Sequence, residues 1–137
     1  MPEGASPGHR ERMVGNNTAL VVADTYRKGL RGYDIETLNE GLLHGTEHVH
    51  QDVHSTGRLG HEYYNTLGYI PNDVRIGGNV ARTLEYANAD WGIEQAGKAG
   101  KRAQKELERV DKRVRNYKNL LDWKHNQLRA RKTEGTF

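Results

Sequence analysis

The stretch KRAQKELERVDKRVRNYKNLL, residues 101–121, carries the clearest structural pattern in the chain. Its apolar side chains recur at spacings of three and four residues, which places them along one face of an α-helix: Leu107, Val110, Val114, Tyr117 and Leu121. The opposite face is charged, and acids alternate with bases at pairs such as Glu108 and Lys112, which is typical of a solvated surface. The stretch therefore predicts an amphipathic helix and an all-α fold.

The residues before this stretch predict two more helices. Residues 79–100, NVARTLEYANADWGIEQAGKAG, have Asn79 as a candidate cap and place one apolar face along Val80, Leu84, Ala87 and Trp91. Residues 61–68 predict a short helix that ends at Gly68, because Pro71 blocks its continuation. The segments 49–60 and 72–78 are predicted to be loops.

Two helices are predicted nearer the N-terminus. The first begins at Asn17, and Gly29 and Gly32 favour its end. Asp34 is a good N-cap for the second, DIETLNEGLLHGTEHV at residues 34–49. Because the connection is short, the two helices are expected to form an antiparallel hairpin. The apolar stripe of the first contains Leu20, Ala23 and Leu30, and that of the second contains Ile35, Leu38, Leu42 and Leu43.

The domain organisation that follows is simple. Residues 1–16 are rich in Gly, Pro and Arg and are predicted to be irregular or disordered, and residues 17–137 are predicted to form one partial helical domain. A short extended segment is expected within residues 126–137. Seven side chains are expected to be buried: Leu20, Leu38, Leu84, Trp91, Val110, Tyr117 and Leu121.

Composition excludes several classes of protein. The 137 residues contain no cysteine, so neither disulfides nor thiolate metal sites can form. No run of about 18 apolar residues occurs, so no membrane partner is expected. The net charge of +3 and the basic stretch KHNQLRARK at 124–132 do not amount to a nucleic-acid-binding module. The N-terminus has no apolar signal core, which leaves the localisation open.

The stretch HGTEHVHQDVH, residues 44–54, raises the question of a metal site. On a helix, His44 and His48 would share one face beside Glu47, which is a spacing that can hold zinc. A third ligand would have to come from a residue that nothing fixes in place, such as Asp52, His61 or Glu62, and Gly45 weakens the helix. We therefore interpret the stretch, including His50 and His54, as a solvated helix end and loop, and expect no metal-binding residue.

Two pairs of carboxylates are candidates for catalysis. Glycoside hydrolysis needs two acids facing each other across a bond, and Glu85 with Asp90 or Asp24 with Asp34 are the pairs that can be imagined. Composition singles out neither pair. These acids are instead expected to cap helices and to pair with arginines, so no catalytic residue is predicted.

Four motifs nevertheless resemble one enzyme family. They are MVGNNTALVVADTYRKGLRGYDIET at 13–37, GRLGHEYYNTLGYIPND at 57–73, VARTLEYANADWGIEQAGKAGK at 80–101 and NYKNLLD at 116–122. In this order they are similar to segments of glycoside hydrolase family 92, the calcium-dependent exo-acting alpha-mannosidases. The chain departs from the family pattern at Asn79 or Val80, which replaces a serine, at Asn88, which replaces a tyrosine, and at Ala89, which replaces the first of two acids.

The resemblance implies part of an (α/α)6 toroid, here a partial one of antiparallel helical hairpins. It implies that the full-length family hydrolyses terminal alpha-mannosyl linkages of mannose-containing glycans, alpha-1,2-mannosides among them, with inversion and with the assistance of calcium. In that family the catalytic carboxylates and the calcium ligands lie beyond the NYKNLLD motif, and a β-sandwich domain precedes the toroid. We therefore expect a fragment that is inactive alone and has no cofactor of its own. The family is mostly periplasmic or secreted.

Two alternatives remain at this stage. The chain could be a stand-alone helical interaction module without catalysis, whose exposed apolar faces dock a partner, the missing remainder of the toroid or a second copy of the chain. It could also be a zinc-binding protein through the stretch from His44 to His54.

Overall fold

The computed structural model describes residues 14–49 and 57–137, and within these ranges the chain is mostly helical, as predicted. The elements are α1 (Asn17–Arg27), α2 (Ile35–His44), α3 (His61–Leu67), α4 (Asn79–Ala99), α5 (Gln104–Val114), a 3-10 helix (Asn116–Leu120), β1 (Leu121–Asp122) and β2 (Gln127–Leu128). The strands pair antiparallel, with Leu121 opposite Leu128 and Asp122 opposite Gln127. Within the described ranges, no helix has the length and apolarity needed to cross a membrane.

Helix α4 is the centre of the fold, since α1, α2, α5 and the 3-10 helix all contact it. Several side chains at these contacts are alanines, and small side chains let helices approach closely. The main core cluster contains Ala19, Val22, Leu42, Ala89, Ile93, Ala96 and Val110. A second cluster contains Tyr64, Ile70 and Tyr86. Ala89, which departs from the family pattern, is 1% exposed within the main cluster, where a carboxylate would lack water.

The helix ends are set by local hydrogen bonds, as the sequence predicts in most cases. Asp34 caps α2 by accepting from the backbone N–H groups of Glu36 and Thr37, both at 3.0 Å. Gly68 ends α3 with a φ of +78°, a conformation that favours glycine. Helix α4 begins at Asn79, but the capping position is Gly78, and the Asn79 side chain accepts only from the N–H of Val80.

Two predicted helices are shorter than expected. Helix α2 ends at His44 and does not reach residue 49, because the Thr46 hydroxyl donates to the Leu43 carbonyl and turns the chain. Of the helix predicted over 101–121, Gln104–Val114 is α-helical and Asn116–Leu120 is a 3-10 helix, and the prediction of helix at Leu121, the first residue of β1, is wrong. The extended segment predicted near the C-terminus is confirmed as β2.

The predicted core is partly wrong. Val110 is buried at 1% exposure, whereas Leu38, Trp91 and Tyr117 are 38%, 36% and 42% exposed. The buried face of α4 carries Tyr86, Ala89, Asp90, Ile93 and Ala96, and Trp91 lies on the opposite side of the helix. Helix α2 buries Asn39 and Leu42, which turns Leu38 outward. The remaining three, Leu20, Leu84 and Leu121, are half-buried.

An antiparallel bridge joins residues 49 and 57, within the segment predicted to be a loop. The N–H of Arg58 donates to the carbonyl of His48 at 2.9 Å. Gly57 has a φ of +90°, and a Cβ atom built on it would lie 2.0 Å from the His48 carbonyl oxygen. Only glycine therefore fits at this crossing. Residues 1–13 and 50–56 lie outside the described ranges, and with them most of the predicted irregular N-terminus.

Gly92 marks the closest approach of α4 to α1, and this contact can be tested. A Cβ atom at Gly92 would lie 2.7 Å from the backbone carbonyl of Ala19. Gly92→Ala is expected to lower the free energy of unfolding by about 1–3 kcal/mol, because the helices must separate. The matched control is Gly41→Ala in α2, where nothing lies within 4 Å and where a gain of up to about 1 kcal/mol is expected. Urea unfolding followed by circular dichroism measures both, and equal stability of the two variants would contradict this packing.

Candidate functional site

A buried ionic cluster lies where α3, α4 and α5 meet, and its centre is the carboxylate of Asp90. That side chain is 0% exposed. Its Oδ1 accepts from Nη2 of Arg58 at 2.8 Å and from Nη2 of Arg113 at 3.3 Å. Its Oδ2 accepts from the hydroxyl of Tyr64 at 3.1 Å. Both carboxylate oxygens are therefore occupied by protein donors.

The surrounding elements fix the two arginines. Arg58 is 1% exposed, and its guanidinium lies 5.6 Å from the ring centre of Tyr64 and 5.1 Å from that of Tyr86. The two rings meet edge to face at 5.5 Å. Arg113 also donates to the side chain of Asn65 at 3.2 Å and to Thr46 at 3.4 Å. Segments that are distant in sequence are thus held at one point by charge-assisted bonds.

The electrostatics of the cluster are unbalanced, because two guanidiniums face one carboxylate. Burial lowers the pKa of Arg113, and repulsion from Arg58 adds to that effect while attraction from Asp90 opposes it. Burial and the neighbouring Asp90 raise the pKa of Tyr64, so its hydroxyl keeps its proton and remains a donor. The arrangement can fix helices in place, but its carboxylate is already bound on both oxygens and does not face water.

A second polar cluster surrounds Asp122 at the β1–β2 turn. Its carboxylate accepts from the backbone N–H groups of Lys124 and His125 at 3.0 and 3.3 Å, from Nδ1 of His125 at 2.7 Å and from Nη1 of Arg129. The hydrogen bond from His125, followed by that from Arg129, lowers the pKa of Asp122 to about 2. The carboxylate is therefore ionised at neutral pH and organises the turn.

An open cleft of about 440 Å³ lies between α3 and α5. Its walls are mostly polar, and Glu47 and Arg109 form an ion pair of 2.6 Å at its side. Other residues of the wall are Asn65, Lys112, Arg113, Asn116 and Asn119. The cleft therefore carries more basic than acidic side chains.

Within the described part of the chain, His44 and His48 of the 44–54 stretch do not converge with other ligands. The rings of His44 and His48 stack in parallel at 4.0 Å, and Nδ1 of His48 lies 2.8 Å from the carbonyl oxygen of His44. Within residues 14–49 and 57–137, no group of three or more His, Asp or Glu side chains is placed to hold a metal ion. His50, Asp52 and His54 lie outside the described residues, so the zinc hypothesis stays untested. His61 and Glu62 begin α3, with His61 Nε2 3.9 Å from Glu62 Oε2.

The carboxylates considered as catalytic pairs have structural partners instead. Asp34 caps α2, Asp90 pairs with two arginines, and Asp24 forms an exposed ion pair of 2.7 Å with Lys28. The expectation of caps and arginine pairs is thus confirmed for Asp34 and Asp90. Glu85 is half-buried, and a Cβ atom on Gly15 would lie 3.0 Å from its Cβ.

Sequence reasoning missed the partners of Asp90. Arg58 and Arg113 are 32 and 23 residues away from it, and nothing in the local pattern links them. The sequence predicts Arg113 on the solvated charged face of the last helix, yet it is only 6% exposed. The available signal was that Arg58 and Asp90 each lie inside one of the quoted motifs.

Comparison with known proteins places this helical unit in a family of glycoside hydrolases. The model of the "Glycosyl hydrolase family 92 catalytic domain" matches residues 1–137. The chain therefore belongs to glycosyl hydrolase family 92, and the resemblance found in its four motifs is confirmed. No curated protein matches the chain.

Solved structures of the family share the fold. An inverting mannosidase of family GH92 from Bacteroides thetaiotaomicron is 37% identical with a TM-score of 0.89, over 99% of this chain and 18% of that one. A second alpha-mannosidase from that organism is 29% identical with a TM-score of 0.75, over 90% of this chain and 16% of that one. The structure of that second enzyme in complex with mannoimidazole is 27% identical to this chain with a TM-score of 0.74, over 90% of this chain and 15% of that one. The chain thus spans less than a fifth of the length of these enzymes.

The importance of the buried cluster can be tested with Asp90→Asn. Loss of the carboxylate charge leaves two buried guanidiniums uncompensated, which is expected to lower the free energy of unfolding by about 3–5 kcal/mol. The matched control is Asp24→Asn, which removes an exposed ion pair and is expected to cost at most about 1 kcal/mol. Chemical denaturation measures both. Similar costs for the two variants would show that the cluster does not hold the helices together.

The Asp122 cluster predicts a stability difference that depends on pH. The pKa of Asp122 falls from 3.8 to about 2 on folding. Its contribution is therefore fully present above pH 3.8 and is lost as the pH falls towards about 2. The free energy of unfolding of the unchanged chain and of Asp122→Asn should differ most above pH 4, and the difference should shrink below it. A difference that stays constant between pH 2 and pH 6 would contradict the assignment.

Proposed function

We propose that this chain forms part of the catalytic domain of an alpha-mannosidase that hydrolyses terminal alpha-mannosyl linkages with inversion. The observation that carries the proposal is the family match over residues 1–137, together with a TM-score of 0.89 to an inverting mannosidase. The helices would contribute to an (α/α)6 toroid. Residues 17–137 would be the part of that toroid which this chain supplies.

The role proposed for this part is that of scaffold. Inverting hydrolysis needs one carboxylic acid to protonate the leaving oxygen and a carboxylate to activate water, about 6.5–9.5 Å apart. Arginines bind the oxygens of both Asp90 and Asp122, and Asp122 also has a lowered pKa. Neither suits the role of a proton donor or a water-activating base. The catalytic pair is therefore proposed to lie elsewhere in a longer protein.

Calcium is the metal that the family resemblance implies, and it prefers several oxygen ligands. The described residues do not fit such a site, since no three carboxylates or histidines converge among them. The backbone and side-chain oxygens of Asp122 already accept from protein donors. We therefore assign no calcium ligand to the described residues and derive no step through the ion.

The exposed apolar side chains favour a docking role for the same helices. Val21 and Leu30 are 51% and 57% exposed, so their apolar surfaces are available to a partner. We propose that the remainder of the toroid covers them. Self-association of the chain is the competing explanation, and it would appear as a mass that rises with concentration in light scattering.

The proposed function is tested by comparing this chain with the longer protein in which it would occur. The purified chain is expected to release no mannose from alpha-1,2-mannobiose. A longer protein that adds the remaining toroid is expected to release it, to invert the anomeric configuration in proton NMR, and to lose activity with EDTA. Mannose release by the chain alone would overturn the scaffold role, and an inactive longer protein would overturn the mannosidase assignment.

A further inference from the structure

The β1–β2 turn carries an aromatic side chain that the packing described so far does not use. Trp123 is 79% exposed, the largest fraction among the large apolar side chains of the described residues. A tryptophan on a soluble surface keeps a wide apolar ring in water, at a cost in free energy that scales with its apolar area. Tryptophan is enriched at binding interfaces, because its ring is apolar and its indole N–H can donate a hydrogen bond.

The turn beneath this ring is rigid before any ligand arrives. The Asp122 carboxylate is 7% exposed and accepts from two backbone N–H groups of the turn and from two side chains. The N–H of His125 also donates to the Asp122 carbonyl at 3.2 Å, which closes the turn. Because the backbone around Trp123 is fixed, binding there would need little further ordering of the chain.

Polar groups suited to hydroxyls lie on the same hairpin. The bond between Nδ1 of His125 and Asp122 orients the imidazole, which is 51% exposed, and Nε2 has no partner in the described part of the chain. The guanidinium of Arg129 is held by the same carboxylate and lies 5.7 Å from the ring centre of Phe137, which is 41% exposed. The hairpin thus combines aromatic surface with oriented nitrogen atoms.

This combination matches the chemistry of a pyranose sugar. One side of such a ring is formed by C–H bonds, which pack against an aromatic face, and its rim carries hydroxyls, which bind imidazole and guanidinium groups. We propose that the β1–β2 turn is a glycan-contacting platform. The ring of Trp123 stacks on a mannose residue, and His125 and Arg129 bind its hydroxyls. The choice of mannose rests on the proposed function.

The platform is tested on the full chain by titrating alpha-1,2-mannobiose and following backbone and indole N–H signals in NMR. Saturable shifts are expected at the turn, including the Trp123 indole. Trp123→Ala should weaken binding by about fivefold or more, since an aromatic contact is lost. Trp123→Tyr should retain most of it. The matched control is Trp91→Phe on α4, which alters a tryptophan that is 36% exposed without touching the turn, and which should bind as the unchanged chain does.

Several outcomes would overturn the platform. The first is the absence of saturable shifts at the turn, and the second is that Trp123→Ala binds mannobiose as tightly as the unchanged chain does. The third is that only a single-stranded oligonucleotide causes the shifts, which would identify a base-stacking site. In a longer, active protein, Trp123→Ala should raise KM for mannobiose and leave kcat within about twofold. If Trp123→Ala and Trp123→Tyr both prevent that protein from folding, Trp123 is a packing residue and the platform is refuted. In that longer protein, cleavage without binding at the turn refutes the platform alone, and binding at the turn without cleavage refutes the proposed function alone.

Discussion

A carboxylate that does not contact water must find hydrogen-bond donors within the protein, and Asp90 finds them on three separate segments. Arg58 precedes α3, Tyr64 belongs to α3, and Arg113 belongs to α5. If any one of these segments moved away, a charged group would remain buried without its partner, which costs several kcal/mol. The position of α3 and the direction of α5 are therefore tied to a single side chain of α4.

The apolar part of the fold is arranged around the same helix. The side of α4 that faces α1 and α2 is built from small residues such as Ala89 and Ala96, so the contact is close but buries little apolar area per residue. This agrees with a chain in which only 34% of the residues are hydrophobic. Apolar packing holds one side of α4 in place, and ionic pairing holds the other. A substitution on one side should therefore be felt mainly by the elements on that side.

The positions of the helices could be predicted from the sequence better than the contacts that each helix makes. The cap at Asp34 and the end of α3 at Gly68 depend on interactions within a few residues, and such interactions are visible in the sequence. The spacing of apolar residues identifies a face but does not say which partner covers it, so Trp91 was placed in the core although it lies outside. Arg58 could not be paired with Asp90 in advance, because that contact exists only once α3 and α4 are packed. Leu121 was predicted to be helical but is in a strand, which likewise depends on pairing with β2.

The bridge between residues 49 and 57 has a practical consequence for protein engineering. The bridge and the hydrogen bond from Arg58 to His48 bring the two ends of this segment together, and the crossing at Gly57 leaves room only for glycine. The entropy of closing a loop rises slowly with its length, by about 0.6 kcal/mol for each doubling. Extra residues between the two ends should therefore leave Arg58 in place. An insertion between Val49 and Gly57 could accordingly carry an affinity tag, a fluorescent label or a protease recognition sequence, whereas Gly57 itself should be left unchanged.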